Sequence, residues 1–146
     1  MPEKETIERA RKDKREGKSA STQAGEFVRQ EIEHIREGKH GARSTRQAIA
    51  IGLSEARRAG VKLPPPKKGT TSESTRRHAA KDLRRGAKKA SPTRSRASRK
   101  ALKDEPHAAA SKKALSRHAH VAATKRSAKA RSASAKKAAR TRARKA

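Results

Sequence analysis

The first half of the chain carries apolar side chains at helical spacing, most clearly in the stretch after Ser21. Between that serine and Gly38 the apolar positions recur every three or four residues, at Ala24, Phe27, Val28, Ile32 and Ile35. This period indicates an amphipathic helix with one apolar face. Ser21 or Thr22 is expected to cap its start, and Gly38 is expected to end it.

A weaker helical pattern precedes it, from Glu3 to Glu16. Acidic side chains come first and basic side chains last, an order that complements the helix dipole, and Gly17 is placed to end the helix. The apolar face consists essentially of Ile7 and Ala10. We therefore expect this helix to be detached or only loosely docked.

A third helix is the best specified by its sequence. Ser44 and Gln47 fit a capping box, in which the serine hydroxyl accepts a hydrogen bond from the Gln47 amide while the Gln47 side chain reaches back. Gly60 is placed to end the helix, and Val61 can supply the apolar contact of a Schellman ending. The apolar face of this helix is formed by Ala48, Ile49, Gly52, Leu53 and Ala56.

The turn of residues 38–43 is short, so the second and third helices should form an antiparallel or crossed hairpin with their apolar faces together. Residues 1–63, which we call the head, contain only about ten large apolar side chains, a small number against the entropy of ordering the segment. We therefore expect the head to be marginally stable alone, and to self-associate as a homo-oligomer or gain stability from a ligand.

Three consecutive prolines, Pro64–Pro66, interrupt the helical pattern because proline cannot continue a helix and favours an extended segment. The whole chain has 42 Lys+Arg against 14 Asp+Glu, a formal net charge of +28. Residues 1–63 hold 15 basic and 10 acidic side chains, whereas residues 64–146 hold 27 and 4. We therefore divide the chain into the head, a proline-rich spacer at 64–71 and a Lys/Arg/Ala/Ser-rich basic tail at 72–146.

The basic tail contains a tandem repeat. Residues 98–110 align without a gap to residues 111–123, with seven of thirteen positions identical. A duplication is the simplest account of this similarity. Before the repeat, a thin apolar stripe over Glu73–Arg85 predicts a short helix between a Ser72 or Ser74 cap and Gly86.

Two tendencies oppose each other in the rest of the tail. Alanine, lysine and arginine favour a helix intrinsically, but like charges one helical turn apart repel each other. We expect coil or fluctuating helix in the free chain and more helix when phosphates neutralise the charge. The expected fold class is mostly α: a small helical head of two to three short helices, followed by a largely disordered or conditionally helical basic tail.

The motif Lys39-His40-Gly41, followed by the run from Arg43 to Gly60 and the exit from Lys62 to Pro64, resembles a family of small basic bacterial and phage proteins of unknown function. The resemblance covers roughly residues 19–68. Members are often labelled DNA-binding or plasmid-stabilisation proteins, so the resemblance implies a protein associated with the nucleoid in the bacterial cytoplasm. The basic tail separately resembles the Lys/Ala-rich tails of bacterial histone-like proteins and linker histones in composition.

A chain with this charge is expected to bind a polyanion, and duplex DNA is the expected partner. Contacts of lysine and arginine with phosphate position a protein without reading sequence, so we expect an architectural, histone-like protein that neutralises and bridges DNA. The expected contacts in the tail are Arg76, Arg77, Arg84, Arg85, Lys88, Lys89, Arg94, Arg96, Arg99, Lys100, Lys112, Lys113, Arg117, Lys125, Arg126, Lys129, Arg131, Lys136, Lys137, Arg140, Arg142, Arg144 and Lys145.

The third helix of the head offers a smaller set of contacts. It could lie against phosphates through its basic side chains, although its apolar stripe fits a core or a dimer interface more often than a recognition helix. The candidate contacts in the head are Arg43, Arg46, Arg57 and Arg58.

Two further classes of function stay open at this stage. One is an RNA-associated or ribosome-associated protein, for which the scarcity of aromatic residues argues against base stacking but not against duplex RNA. The other is a protein-interaction module, in which the head binds a partner and the tail holds it on the nucleoid. Action at a membrane is disfavoured because the tail lacks a bulky apolar face, and the longest apolar run, Ala48–Leu53, predicts no membrane span.

The sequence gives little sign of catalysis or of a cofactor. There is no cysteine, and His34 beside Glu33 or His40 between glycines lacks a nucleophile partner. His118 and His120 have metal-ligand spacing without further ligands nearby. We expect no enzyme activity, no cofactor and no metal.

Overall fold

The structure is a computed structural model and describes residues 2–146. In this range about 70% of the chain is helical. Residues 2–111 belong to one compact unit and Lys112–Ala146 to a second. The helices are α1 (Lys4–Arg15), α2 (Ala20–Arg36), α3 (Thr45–Arg58), α4 (Glu73–Arg85), α5 (Pro92–Lys103), a 3₁₀ turn (Ala108–Ala110), α6 (Lys112–Thr124) and α7 (Ala128–Lys145).

The core of the first unit lies where α1, α2 and α3 meet. Phe27 is fully buried among small and branched side chains, Ala10, Ala24, Ala56 and Val61. Helices α2 and α3 approach closely at Gly52, where a Cβ atom would lie 2.7 Å from the Val28 Cα. The predicted packing of these two helices against each other is confirmed.

The ends of α3 follow the prediction closely. The Ser44 hydroxyl accepts a hydrogen bond from the Gln47 N–H at 3.1 Å, but the Gln47 side chain reaches one residue further back than a standard capping box, to the Arg43 N–H. At the other end Gly60 has φ +98°. The Val61 N–H then donates to the Ala56 carbonyl at 3.0 Å, which is the bond of a Schellman ending.

The start of α2 differs from the prediction. Ser19, and not Ser21 or Thr22, has the extended backbone of a cap, and its hydroxyl accepts a hydrogen bond from the Thr22 N–H. Gly17 ends α1 with φ +72°, so the chain returns to a helix after only two residues and the first serine available becomes the cap.

Helix α1 is docked on α2 through fully buried side chains, so the expectation of a detached or only loosely docked helix is wrong. Thr6 is fully buried and Ala10 is 4% exposed, because these small side chains let α1 lie close to α2. The contact is reinforced at its edge, where the Arg9 guanidinium pairs with Glu26 at 2.9 Å. A helix with few large apolar residues can therefore dock through small side chains that are closely packed.

The expectation of a largely disordered or conditionally helical basic tail is also wrong, because helices continue to Lys145. Ser72, Ser91 and Ser127 each accept a hydrogen bond from the backbone N–H three residues later, capping α4, α5 and α7. Caps and strong helix formers thus outweigh the repulsion between like charges. The predicted α4 and its Ser72 cap are confirmed. Within residues 2–146 no helix is long and apolar enough to cross a membrane.

Part of the basic tail lies against the head. The segment Leu102–Ala110, which we call the docked segment, crosses the turn between α2 and α3. Four of its carbonyl oxygens accept hydrogen bonds from that region: Leu102 from the Gly41 N–H (2.8 Å), Pro106 from the Ala42 N–H (3.0 Å), Ala109 from the Thr45 hydroxyl (2.6 Å) and Ala110 from the Arg36 Nε–H (2.8 Å). The first compact unit therefore extends to Ser111, beyond the predicted head of residues 1–63.

Gly41 is required for this contact. It is buried, and a Cβ atom at this position would overlap the carbonyl group of Glu105. Any side chain here would force the docked segment away from the turn.

The two copies of the tandem repeat adopt different structures. In the first copy α5 ends at Lys103, and Pro106 follows two residues after the capping Asp104. In the second copy Ala119 stands where the first has Pro106, and α6 runs without a break to Thr124. Proline disfavours continuation of a helix because it lacks the backbone N–H, so the loss of Pro106 in the second copy is consistent with its continuous helix.

Gly41→Ala should lower the free energy of unfolding by about 1–3 kcal/mol, the usual effect of overpacking a close contact. Gly25→Ala is the matched control, because Gly25 is exposed within α2 with open space around it and should gain about 0.5–1 kcal/mol. Urea unfolding followed by circular dichroism measures both. Hydrogen exchange at the Ala42 amide should be faster in Gly41→Ala and unchanged in Gly25→Ala. Equal free energies of unfolding for the two variants would contradict the contact between the docked segment and Gly41.

Candidate nucleic-acid interface

Several acidic side chains of α1, α2 and the turns that follow them pair with cations of the same region. Lys18 contacts Asp13 at 2.6 Å and Glu16 at 2.8 Å, and its ammonium group lowers the pKa of Glu16. Lys39 contacts Glu37 at 2.9 Å. Much of the charge on this part of the molecule is therefore neutralised within the chain.

The second unit has the opposite character. Lys112–Ala146 contains 13 Lys+Arg and no acidic residue. Every residue of this unit is exposed or half-buried. Its positive charge is thus both uncompensated by carboxylates and accessible to a polyanion.

Helix α7 presents much of this charge on one side. At about 100° per residue, five cations fall within about 100° of one another around the helix axis. Four of them, together with Ala133 and Thr141, line a shallow depression of the surface. The five cations are Lys129, Lys136, Lys137, Arg140 and Arg144. We call them the α7 basic face; Arg142 and Lys145 lie on the opposite side.

A second, smaller basic surface lies on α4. This helix packs on α3 through the buried Ala79 and through Asp82, which accepts a hydrogen bond from the Ser54 hydroxyl at 2.5 Å. Arg77 and Arg84 are exposed on its other side, and Lys81 is exposed between them. Sequence reasoning omitted Lys81, although its four-residue spacing from Arg77 was a usable signal.

The structure places the expected tail contacts at the surface. All of them are exposed apart from Arg76 and Arg85, which are half-buried. Some are already engaged within the chain. Arg76 pairs with Glu73 through two bonds of 3.1 and 3.0 Å, and Arg131 donates to the Arg126 carbonyl in the turn between α6 and α7.

The four candidate contacts in the head separate into two groups. Arg43 and Arg46 are exposed, and Arg58 is half-buried. Arg57 is 6% exposed and donates to the carbonyls of Leu63 (3.1 Å) and Pro64 (3.2 Å), and burial lowers its pKa. Arg57 therefore holds the start of the proline segment against α3 and is not presented to phosphate, which corrects its inclusion among the contacts.

Potential metal ligands converge at one place in the described part of the chain. Ligand atoms of Glu31, His34 and His40 all lie within 4.8 Å of one another. Glu31 is 3% exposed and the two imidazoles are largely covered. Sequence reasoning considered His34 and His40 separately and missed Glu31, whose three-residue spacing from His34 on α2 was the available signal.

Comparison with known proteins gives one finding for part of the chain. Residues 4–68 match a family of unknown function, DUF6496. The match ends within the proline-rich spacer, so it includes α1, α2 and α3 but neither the docked segment nor the second unit. No curated protein matches the chain, and no solved structure does.

Arg57→Ala should lower the free energy of unfolding by about 1–3 kcal/mol, because two carbonyl groups lose their donors. Arg46→Ala, on the exposed side of the same helix, should change it by less than about 0.5 kcal/mol. Chemical unfolding of the two variants measures the difference. Similar values for both would show that the Arg57 contacts do not stabilise the proline segment.

Proposed function

We propose that this protein binds duplex DNA without sequence preference and acts as an architectural, histone-like protein. The observation that carries the proposal is the second unit, in which an acid-free pair of helices presents the α7 basic face. The first 63 residues support the proposal because many of their cations are paired with carboxylates. Most of the excess positive charge therefore lies in residues 64–146.

Binding of this kind is driven by release of the cations that condense around a nucleic acid. With Z phosphates neutralised, log K falls with log salt at a slope of about −0.9Z for duplex DNA. If ten cations engage at once, the slope is about −9. Affinity would then be high in dilute salt and much lower in concentrated salt, with little dependence on base sequence.

The dimensions of α7 suit a duplex. Its 18 residues span about 27 Å, and the major groove, about 12 Å wide, admits a helix. In that position the α7 basic face would lie along one phosphate strand. Arginines at the ends of the contact could enter a narrow minor groove, which gives a mild preference for A·T-rich DNA.

The structure disfavours single strands as the partner. Proteins that hold single-stranded nucleic acid stack bases on exposed aromatic rings. The one aromatic residue among Phe, Trp and Tyr in this chain is Phe27, which is fully buried in the core. Lysine and arginine contacts with a regular duplex are the chemistry that remains.

Both compact units carry a basic surface, the first on α4 and the second on α7. A chain with two separate phosphate-binding surfaces can engage two duplexes, so bridging and condensation follow from the proposal. Together with the family resemblance of the head, this favours a location on the nucleoid of a bacterial cell.

The double variant Lys136→Gln/Arg140→Gln removes two charges from the α7 basic face. It should make the slope of log K against log salt less negative by up to about 1.8. Arg142→Gln/Lys145→Gln removes the same charge from the opposite side and should reduce the steepness less. Fluorescence anisotropy with a labelled 20-base-pair duplex at several salt concentrations gives both slopes.

Equal reductions would show that α7 binds as a diffuse polycation without a preferred face. Absence of binding at low salt would overturn the proposal as a whole. Competition with duplex RNA of the same length separates the DNA function from the RNA-associated alternative, because tighter binding to RNA would favour the latter.

A chain that ends at Ser111 should keep the fold of the first unit, because the docked segment is intact, but should bind duplex DNA with a less steep salt dependence. Circular dichroism and the same anisotropy titration test the two parts of this expectation. Unchanged binding would move the interface to the first unit.

A further inference from the structure

We propose that Glu31, His34 and His40 form a binding site for a divalent first-row transition metal ion, with Zn²⁺ as the reference ion. This inference is independent of nucleic-acid binding, because none of the three residues belongs to the basic surface of α4 or to the α7 basic face. It rests on three observations: the convergence of the three side chains, the burial of Glu31 and the orientation of the His40 ring.

The backbone brings the three residues together for simple geometric reasons. Glu31 and His34 are three residues apart in α2, so they lie on the same side of the helix, near its C-terminal end. The helix stops at Arg36, and Gly38 turns the chain with φ +75°. That reversal returns His40 to the same side of α2, where its Nε2 lies 3.5 Å from the Glu31 Oε1.

Glu31 is the unusual member of the group. It is 3% exposed, and its Oε1 makes no hydrogen bond with any described residue. A buried carboxylate oxygen without a hydrogen bond is unfavourable, and burial raises the pKa of Glu31, with His40 acting in the opposite direction. A bound dication would supply the missing partner for the oxygen atom.

The His40 ring is already oriented as a metal ligand. Its Nδ1 lies 3.0 Å from the Gly41 carbonyl oxygen, and since a carbonyl can only accept, Nδ1 carries the proton. In the neutral ring Nε2 then has a free lone pair, directed to the side where Glu31 lies. A backbone carbonyl on the distal nitrogen is the usual support of a metal-bound histidine.

The set of donors decides the class of metal. Two imidazoles and one carboxylate suit zinc, cobalt or nickel, whereas calcium and magnesium prefer oxygen ligands alone. Tetrahedral zinc places its ligand atoms about 3.4 Å apart. The present separations, up to 4.8 Å, therefore require the ligand atoms to approach by up to about 1.4 Å, which rotation of the terminal side-chain torsions can provide.

Glu3 adjoins the site from the side of His34 and accepts a hydrogen bond from the His34 Nε2–H, a proton that a metal ion bound at Nε2 would displace. The Glu3 Oε1 lies 2.9 Å from the His34 Nε2, and the Glu3 side chain is about half exposed, so it can move. Lys39, 3.5 Å from the same carboxylate, opposes binding of a cation, as does the net charge of the chain. The carboxylates of Glu31 and Glu3 offset these repulsions locally, and water can supply the fourth ligand.

Nitrogen-15 NMR of the histidine rings tests the site in the full-length protein. One equivalent of Zn²⁺ should shift the ring nitrogens of His34 and His40 and leave the other four histidines unchanged. The strongest alternative within the chain is the pair His118 and His120 on α6. Shifts confined to that pair, or no shift at one equivalent, would overturn the proposal.

Calorimetric titration of variants with Zn²⁺ gives a second test. Glu31→Gln keeps the shape of the side chain and removes the charge, and should weaken binding at least about tenfold. His118→Gln/His120→Gln is the matched control and should bind as the parent does. Unfolding curves without metal establish that each variant is folded, and equal affinity of Glu31→Gln and the parent would contradict the assignment.

Discussion

The contact between the docked segment and the turn at Gly41 determines how far the first unit extends along the chain. It is made largely of backbone groups: carbonyl oxygens on one side, and N–H groups, a hydroxyl and a guanidinium on the other. Both polar groups of Gly41 are used, since its N–H bonds to Leu102 and its carbonyl accepts from His40. One glycine thus connects the helical hairpin, the basic tail and the histidine cluster.

A partition of charge underlies the two proposals. In the head, carboxylates and cations are close enough to neutralise each other, and one carboxylate, Glu31, is buried beside two imidazoles. In the second unit carboxylates are absent from the sequence, and the cations remain accessible. The same chain can therefore offer a cation site in one unit and a polyanion surface in the other.

Local signals in the sequence were sufficient to predict the bounds of α3 and α4, because a serine at the start and a glycine at the end mark each helix. They failed where stability comes from small residues, as for the buried Thr6 and Ala10 of α1. The docked segment could not be predicted, because backbone hydrogen bonds leave no side-chain pattern. Arg57 was predicted to contact phosphate for a related reason. The sequence does not distinguish an arginine that binds backbone carbonyls from one that binds phosphate.

The two copies of the repeat show how a duplicated segment can change its role. The first copy has Asp104, Glu105 and Pro106 where the second has Arg117, His118 and Ala119. The first set ends a helix and provides the docked turn, whereas the second removes both acids and lets the helix continue. Differences at these adjacent positions thus let one repeated segment serve as a turn in the first unit and as a positively charged helix in the second.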